Sequence, residues 1–195
     1  MTDREILTKA RAHAFSLIEQ VDHYPYHNLG HTIDVYARAA YLADMEGVDE
    51  ERKTDLLIAA AFHDTGFSVS YPQNESIGAD IAENFLRANG HPEERIFRVR
   101  RVILATVLFS PTGDLLEKII QDADLDNLGR EDFFINTERV SHELRTIAGG
   151  PYDHEKFLAF SESIIARFSF NTETARRERE ERRLKNLDAF KARFL

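Results

Sequence analysis

The chain has 195 residues, of which 43% are hydrophobic and 30% are charged, a balance typical of a folded globular domain. Its 34 acidic and 25 basic residues give a formal net charge of −9, which argues against a nucleic-acid polymer as the main partner. The absence of cysteine excludes disulfide scaffolds, thiolate zinc sites and cysteine nucleophiles, so a metal site would have to be built from His, Asp and Glu.

Apolar residues recur at helical spacing along most of the chain, and period-two alternation is short wherever it occurs. The pattern therefore predicts an all-α fold. The predicted helices are, in chain order, residues 6–17, 29–45 and 51–62, a helix capped by Asn74, a helix from Pro92 to about Leu108, a helix capped by Thr112, and residues 132–148 and 153–168.

The C-terminal segment, residues 174–195, differs from the rest of the chain in its charge. It contains eight basic and four acidic residues. Leu184, Leu187 and Phe194 predict one apolar face, so we expect a terminal helix that docks through that face and exposes its charges. The alternative is a basic arm that contacts an acidic partner or the acidic remainder of the chain.

The first ten residues, MTDREILTKA, include acidic side chains and lack the apolar centre of a secretory signal. No apolar run approaches the roughly 18 residues that a transmembrane helix needs. We therefore expect a cytoplasmic protein that has no membrane partner.

The first group of candidate site residues lies in residues 26–35, which read YHNLGHTIDV. His27 and His31 are four residues apart and would share one face of a helix. Asp34 follows three residues later and can join that face, as a metal ligand or as a hydrogen-bond acceptor for an imidazole. Two histidines at this spacing are also compatible with a polar surface.

The second group is His63 and Asp64, which follow an apolar run over residues 56–62. An apolar helix thus delivers two polar groups toward the interior, where a carboxylate needs a cation. Adjacent helical residues diverge by about 100°, so both side chains can point at one ion only near a helix end, which Gly66 would supply. The alternative is a turn that begins at Asp64, next to a hydrogen-bonded core histidine.

The third group is Asp122, Asp124 and Asp126, which follow another apolar helical stretch. Carboxylates at every second residue do not share one helix face. We expect Asp124 to be the one that faces inward. The alternative is a solvated helix end in which Asp126 begins a turn.

A histidine from one helix, a His-Asp pair from a second and an aspartate from a third form a set of two imidazoles and two carboxylates. This set suits one divalent cation of intermediate hardness, such as Mn²⁺, Fe²⁺, Zn²⁺, Ni²⁺, Co²⁺ or Mg²⁺. An octahedral ion with four protein ligands keeps two positions for a water and a substrate oxygen. Such an ion lowers the pKa of the water and polarises a phosphoryl group.

These motifs resemble those of the HD superfamily of metal-dependent phosphohydrolases. The segments that carry the resemblance are YHNLGHTIDV, AFHDTG and QDADLDNLG, in that order. The resemblance implies a single domain over residues 1–195. Within it we expect an HD-domain helical bundle over about residues 24–130 and a helical C-terminal extension over about residues 131–195.

The resemblance also implies roles for particular residues. It assigns metal ligation to His31, His63, Asp64 and Asp124, and it places His27 where a histidine protonates the leaving oxygen in the cyclic-nucleotide phosphodiesterase branch.

The chain departs from the pattern of the superfamily at two places. Phe67 stands where many members carry a phosphate-contacting lysine, and others carry a water-assisting glutamate there. No histidine occurs at residues 74–75 or 103–106, where two-metal members add ligands, so we expect one metal ion. Arg38, Lys53 and Arg130 are candidate phosphate-binding cations, and the substrate-binding residues are otherwise unknown.

Together, the residues and the resemblance predict a metal-dependent phosphohydrolase, either a phosphomonoesterase or a phosphodiesterase, with a small phosphorylated substrate such as a nucleotide. Asp64 or Asp34 would orient the attacking water, and His27 would act as general acid. One alternative is a catalytically weak module that binds a nucleotide or metal for regulation. Another is a helical interaction protein whose His and Asp residues are structural. No nucleic-acid polymer is expected as a partner, and the sequence is compatible with a homodimer.

Overall fold

Helices account for all regular secondary structure in residues 1–149 and 151–194, the part of the chain that the computed structural model describes. This confirms the predicted all-α fold. The α-helices are α1 (Asp3–Ile18), α2 (Leu29–Met45), α3 (Glu50–Phe62), α4 (Asn74–Ala88), α5 (Glu93–Leu104), α6 (Leu115–Asp124), α7 (Phe133–Thr146), α8 (His154–Arg167), α9 (Glu173–Ala175) and α10 (Glu181–Phe194). Short 3₁₀ turns follow α1, α3 and α6, and a π-helical turn, Arg176–Glu180, joins α9 to α10.

Helix α3 is the central helix of the bundle and contacts α1, α2, α4, α5 and α6. Asp49 caps it by accepting a hydrogen bond from the Arg52 backbone N–H, and acidic residues fill its first turn, where they complement the helix dipole. Its last seven residues, 56–62, are all buried. Three consecutive alanines in this stretch let neighbouring helices approach closely, so the two polar residues that follow begin inside the core.

Three predicted helix boundaries were wrong. The helix expected to reach Leu108 ends at Leu104, and Phe109 adopts a left-handed φ of 63° in the loop that follows. Asp114 caps α6 in place of Thr112, because the Asp114 and Glu117 side chains bond reciprocally to each other's backbone N–H groups. Asn74 is the first residue of α4 and not its cap.

The C-terminal helix α10 docks on the rest of the protein, as expected, but not through the complete predicted face. Leu187 and Phe194 pack against the core, whereas Leu184 is 47% exposed. The buried face also includes Phe190 and Asn186. The Asn186 side-chain amide donates hydrogen bonds to the backbone carbonyls of Leu128 and Arg130 and so ties α10 to the turn after α6.

Several basic residues of the C-terminal segment pair with acidic residues elsewhere in the chain. Arg179 contacts Asp126 at 2.8 Å, and Arg182 contacts Glu131 at 3.1 Å. The excess positive charge of this segment therefore faces the acidic remainder of the same chain. None of the helices in the described ranges is both long and apolar enough to cross a bilayer.

Candidate metal centre

The first turn of α2 and the C-terminal ends of α3 and α6 meet in the centre of the bundle. His31 lies in the first turn of α2, where the Asn28 side chain caps the helix by accepting from the backbone N–H groups of Gly30 and His31. His63 is the C-terminal cap of α3, directly after Phe62, and Asp64 follows it. Asp124 is the last residue of α6. Three helix ends therefore deliver the four predicted ligands to one place.

The imidazole nitrogens and carboxylate oxygens of these side chains lie close to one another. His31 Nε2 lies 3.4 Å from His63 Nε2 and 3.1 Å from Asp124 Oδ1, and His63 Nε2 lies 3.7 Å from the same carboxylate oxygen. Asp64 Oδ2 lies 3.1 Å from His63 Nε2 and 3.4 Å from His31 Nε2. His31, His63 and Asp124 therefore offer donor atoms that all lie within 4.8 Å of one another, and Asp64 lies next to the two histidines.

The hydrogen bond of His63 decides which of its atoms faces this point. Its Nδ1–H donates to the Ala60 carbonyl at 2.9 Å, so a neutral His63 presents the lone pair of Nε2 to His31, Asp64 and Asp124. Metal-ligating histidines have this arrangement, with one ring nitrogen held by a backbone or carboxylate acceptor. The tautomer that the backbone selects is therefore the ligating one.

One oxygen atom of this group lacks the partner that a buried polar group requires. Asp64 Oδ2 is buried and has no hydrogen-bond partner within residues 1–149 and 151–194. Carboxylate oxygens and imidazole lone pairs that converge without a proton or a cation repel one another, and burial makes this repulsion costly. The residues present therefore fit one divalent cation held by imidazole and carboxylate ligands.

The pKa shifts of His63 and Asp64 also favour a positive charge at this cluster. Burial lowers the pKa of His63, but the Asp64 and Asp124 carboxylates outweigh it and raise that pKa to about 9. Burial raises the pKa of Asp64, whereas the neighbouring histidines lower it well below its ordinary value. Both shifts favour a negative carboxylate next to a positive charge.

His27 lies beside this cluster, but it is not held there by helical periodicity. It precedes α2, so the expectation that it shares a helix face with His31 was wrong. Its Nδ1–H donates to Glu143 Oε1 at 2.5 Å, and its backbone N–H donates to Glu143 Oε2 at 2.9 Å. The imidazole is thereby fixed with its centroid 5.8 Å from that of His31. Its Nε2 is free of this contact.

Glu143 is a site residue that sequence reasoning missed. It lies on α7 and its side chain is fully buried, where it accepts four hydrogen bonds from three residues: the Tyr26 backbone, the His27 backbone and ring, and the Tyr71 hydroxyl. A sequence signal existed, because position 143 follows Asn136 and Val140 at helical spacing on a face with buried members. A glutamate in a core position of an amphipathic helix needs a buried partner.

Asp34 does not join the cluster. Its side chain is 61% exposed, and Asp34 Oδ2 accepts a hydrogen bond from Arg130 at 3.1 Å. Because its carboxylate pairs with Arg130 and has no imidazole partner within the described residues, the expected contact with an imidazole was wrong.

The two other aspartates of the third group have structural partners. Asp122, which is fully buried, accepts hydrogen bonds from the backbone and side chains of Asn171 and Thr172. Asp126 is also buried and pairs with Arg38 and Arg179. Asp124 is less buried than either of them, but it is the one of the three whose carboxylate reaches His31 and His63, as expected.

Cations considered for phosphate binding are already paired with acidic side chains. Arg38 contacts Glu178 at 2.7 Å, and Arg130 contacts Asp132 at 2.7 Å. Lys53 contacts Asp44 and lines neither of the cavities that reach the cluster. Of the three candidates, only Arg38 and Arg130 line a cavity that reaches the cluster, and both are paired with acidic side chains.

Two cavities meet at the cluster. The polar cavity, of about 560 Å³, reaches His31 and Asp124 and is lined by Arg38, Arg130 and several acidic residues. The apolar cavity, of about 320 Å³, reaches Asp64, Asp124 and His27 and extends between α7 and α8. Clefts of this kind, with polar groups converging at one end, are the usual form of small-molecule sites.

The fold and the site together define an all-helical domain with a candidate metal centre where its helix ends meet. The chain belongs to the HD domain family, whose sequence profile matches residues 28–126, about half of the chain. The matched residues include His31, His63, Asp64 and Asp124, whereas His27 and Glu143 lie outside them. No curated protein matches the chain significantly.

Solved structures with the same fold include the Lin1889 protein of Listeria innocua, which is 21% identical with a TM-score of 0.66. Bacillus subtilis YpgQ, solved in complex with ADP, is 24% identical with a TM-score of 0.66. Each comparison covers 98% of this chain and 95% of the other. At these identities the likeness shows a shared fold.

Proposed function

We propose that the protein is a metal-dependent phosphohydrolase that acts on a small phosphorylated substrate. The observation that carries the proposal is the convergence of His31, His63, Asp64 and Asp124 on one point beside the His27–Glu143 pair. The chemistry of the family supports it, since HD domains are generally hydrolases. A nucleotide is the favoured substrate because YpgQ, which shares the fold, was solved with ADP.

His31, His63, Asp64 and Asp124 would hold the ion. When bound, a divalent cation supplies Lewis acidity toward a phosphoryl oxygen and lowers the pKa of water. Asp64 contributes an otherwise unpartnered carboxylate oxygen, so it is also the residue that would orient the attacking water. Asp34 is withdrawn from that role because it pairs with Arg130.

His27 would supply the proton that the leaving oxygen needs. Burial lowers the pKa of His27, but the hydrogen bond to Glu143 and the nearby carboxylates outweigh burial and raise it. Since Nδ1 is bonded to Glu143, the transferable proton is the one on Nε2. Glu143 keeps the ring oriented and stabilises its charged form, so it acts as a positioning residue.

The aromatic residues around His27 would keep water away from the His27–Glu143 pair. The Phe67 ring lies 4.5 Å from the His27 ring, and the Tyr71 hydroxyl donates to Glu143 at 3.0 Å. Both side chains cover the His27–Glu143 pair. Removing solvent strengthens each charge interaction inside the site.

Metal analysis and a substrate panel test this function together. Protein purified with Mn²⁺ should contain about one ion per chain and should hydrolyse members of a panel of nucleotides and simple phosphomonoesters and phosphodiesters. His63→Ala should lose both properties. His142→Ala, which removes an exposed histidine of α7, should keep both. Bound metal without turnover of any panel member would overturn the proposal.

A second candidate function is a regulatory module that binds a nucleotide and hydrolyses it poorly. Phe67 favours it, because a buried phenyl ring occupies the place where many members of the superfamily carry a phosphate-contacting lysine. Equilibrium dialysis with nucleotides distinguishes the two candidates. Tight binding with a turnover rate that Mn²⁺ does not raise would support the regulatory module.

A further inference from the structure

The apolar cavity is built mostly by residues outside the family-matched region. Helices α7 and α8 contribute much of its apolar wall, including Phe133, Val140, Leu144, Phe157, Phe160 and Ile164. Its polar end is formed by His27, Asp64 and Asp124. One end of the cavity is therefore formed by residues of the candidate metal centre, and the rest of it is lined mostly by apolar side chains.

The charges of this wall exclude an anionic occupant. Within the described ranges, no Lys or Arg lines the cavity, and its histidine and carboxylic acid residues are His27, Asp64, Glu75 and Asp124. A second phosphate or carboxylate placed there would be buried beside these acids without a counter-charge, which is costly. An uncharged apolar group would instead gain free energy from burial.

The position of His27 decides which part of a substrate enters. His27 lines the apolar cavity and not the polar one. A group that receives a proton from His27 must therefore lie at the mouth of the apolar cavity, so the substituent on that oxygen extends along α7 and α8. The remainder of the phosphoryl group faces the polar cavity beyond His31 and Asp124.

We propose that the apolar cavity is the leaving-group pocket and that it selects phosphate monoesters of an uncharged alcohol with an apolar or aromatic part, a class that includes nucleoside monophosphates. This inference rests on the proposed function. In the reaction, water adds to phosphorus and gives up one proton to solvent, the bond between phosphorus and the ester oxygen breaks, and that oxygen takes a proton from His27, which regains one from solvent. A volume of about 320 Å³ suits a leaving group of one or two rings.

Phe160 and Phe97 offer a matched pair of variants. Phe160 lines the pocket and is 50% exposed, and Phe97 lies on α5 and is 57% exposed. Both should be replaceable by alanine without loss of the fold, because neither ring is buried in the core. The chain contains no Trp, so the fluorescence of a naphthyl ligand can be excited selectively.

The experiment measures the binding of 2-naphthol, the leaving group alone, by fluorescence titration of metal-free protein. We expect saturable binding that Phe160→Ala weakens about fivefold, because part of the ring contact is lost, and that Phe97→Ala leaves unchanged. Val140→Phe, which places a ring in the pocket, should abolish binding in protein whose melting curve shows a folded state. Equal effects of Phe160→Ala and Phe97→Ala, or undiminished binding by folded Val140→Phe, would overturn the inference.

Turnover then separates this inference from the proposed function. With Mn²⁺ bound, kcat/KM for 2-naphthyl phosphate should exceed that for glycerol 3-phosphate, and Phe160→Ala should reduce the ratio of the two about fivefold. Hydrolysis of glycerol phosphate without any binding of 2-naphthol overturns the pocket alone. Binding of 2-naphthol without hydrolysis of any ester supports the pocket and overturns the proposed function.

Discussion

The His27 imidazole and the Glu143 carboxylate, 116 residues apart in the sequence, are joined by a 2.5 Å hydrogen bond from Nδ1 to Oε1. The same carboxylate accepts from the His27 backbone N–H at 2.9 Å. Glu143 therefore holds both the ring and the main chain of His27. This contact extends the candidate site from the family-matched residues to α7.

Glu143→Gln is the variant that tests this contact. The amide keeps the shape and one acceptor, but it removes the charge that stabilises protonated His27, so we expect kcat to fall between about tenfold and a hundredfold. KM should change little, since the metal ligands are intact. Steady-state kinetics on whichever ester of the panel is turned over will measure both values.

Glu138→Gln is the control for this prediction, because Glu138 lies on the same helix, is 70% exposed and has a single distant partner, Arg193. It should retain the rate of the unmodified protein. A Glu143→Gln protein that is folded and fully active would show that the contact is structural only.

Hydrophobic periodicity predicted the all-α fold and the three helices that carry the cluster. The His and Asp motifs predicted its residues, because both signals are local properties of the sequence. They did not predict Glu143, because its partner is 116 residues away and only packing brings the two together. Asp34 was misassigned for the opposite reason. Its spacing from His31 suited a shared face, but Arg130 from another segment competes for its carboxylate.

Metal binding should stabilise the fold as well as complete the site. Because buried donor atoms converge at His31, His63 and Asp64, a bound ion relieves their repulsion, and only the folded chain brings them together. At a Mn²⁺ concentration about 100 times the dissociation constant, the free energy of unfolding should rise by about 2.7 kcal/mol. Thermal melts over a Mn²⁺ titration, with excess chelator as the reference, measure the effect.

The histidine variants separate site binding from weak surface binding. His63→Ala should melt at the same temperature with and without Mn²⁺, whereas His142→Ala should respond as the unmodified protein does. If Mn²⁺ raises the melting temperature of His63→Ala to the full extent, the ion binds elsewhere.

The Asp55 carboxylate makes a contribution to the free energy of unfolding that depends on pH. Its side chain is fully buried and contacts Arg95 at 2.8 Å and Arg98 at 2.6 Å. Burial acts to raise the pKa of Asp55, but the contacts with His91, Arg95 and Arg98 outweigh burial and lower that pKa below the ordinary value of 3.8. The folded protein therefore holds this proton less tightly than the unfolded chain does.

The sign of the pH effect follows from this difference. The contribution is complete above pH 3.8, the ordinary pKa, and is lost as the pH falls through the lower pKa of the folded state. Asp55→Asn should lose about 3 kcal/mol of stability at pH 7, because it leaves two guanidinium groups without their buried partner. Urea unfolding at pH 7 and at pH 3 should show a smaller difference between variant and unmodified protein at pH 3.

The matched control is Asp80→Asn, which removes an exposed carboxylate that contacts Arg100. It should cost less than about 1 kcal/mol at either pH, as expected of a surface ion pair. A loss for Asp55→Asn that is identical at both values of pH would assign the effect to packing and not to charge.

Gly66 sets the distance between the end of α3 and the start of α4. A Cβ atom at this position would lie 1.9 Å from the Asn74 backbone carbonyl oxygen, so a side chain requires the two segments to separate. Because His63 and Asp64 lie just before Gly66, the displacement would move two of the four candidate ligands. Gly66→Ala should therefore destabilise the fold by about 2 kcal/mol or more and weaken Mn²⁺ binding in the same protein.

Chemical denaturation and the Mn²⁺ titration, applied to one preparation, measure the two effects of Gly66→Ala. Gly113→Ala is the control, because its nearest neighbour would be the flexible Glu117 carboxylate at 3.9 Å. That variant should bind Mn²⁺ as the unmodified protein does. A Gly66→Ala protein with normal stability would mean that α4 shifts freely relative to α3. Normal Mn²⁺ affinity in a destabilised protein would mean that His63 and Asp64 hold their places without this close approach.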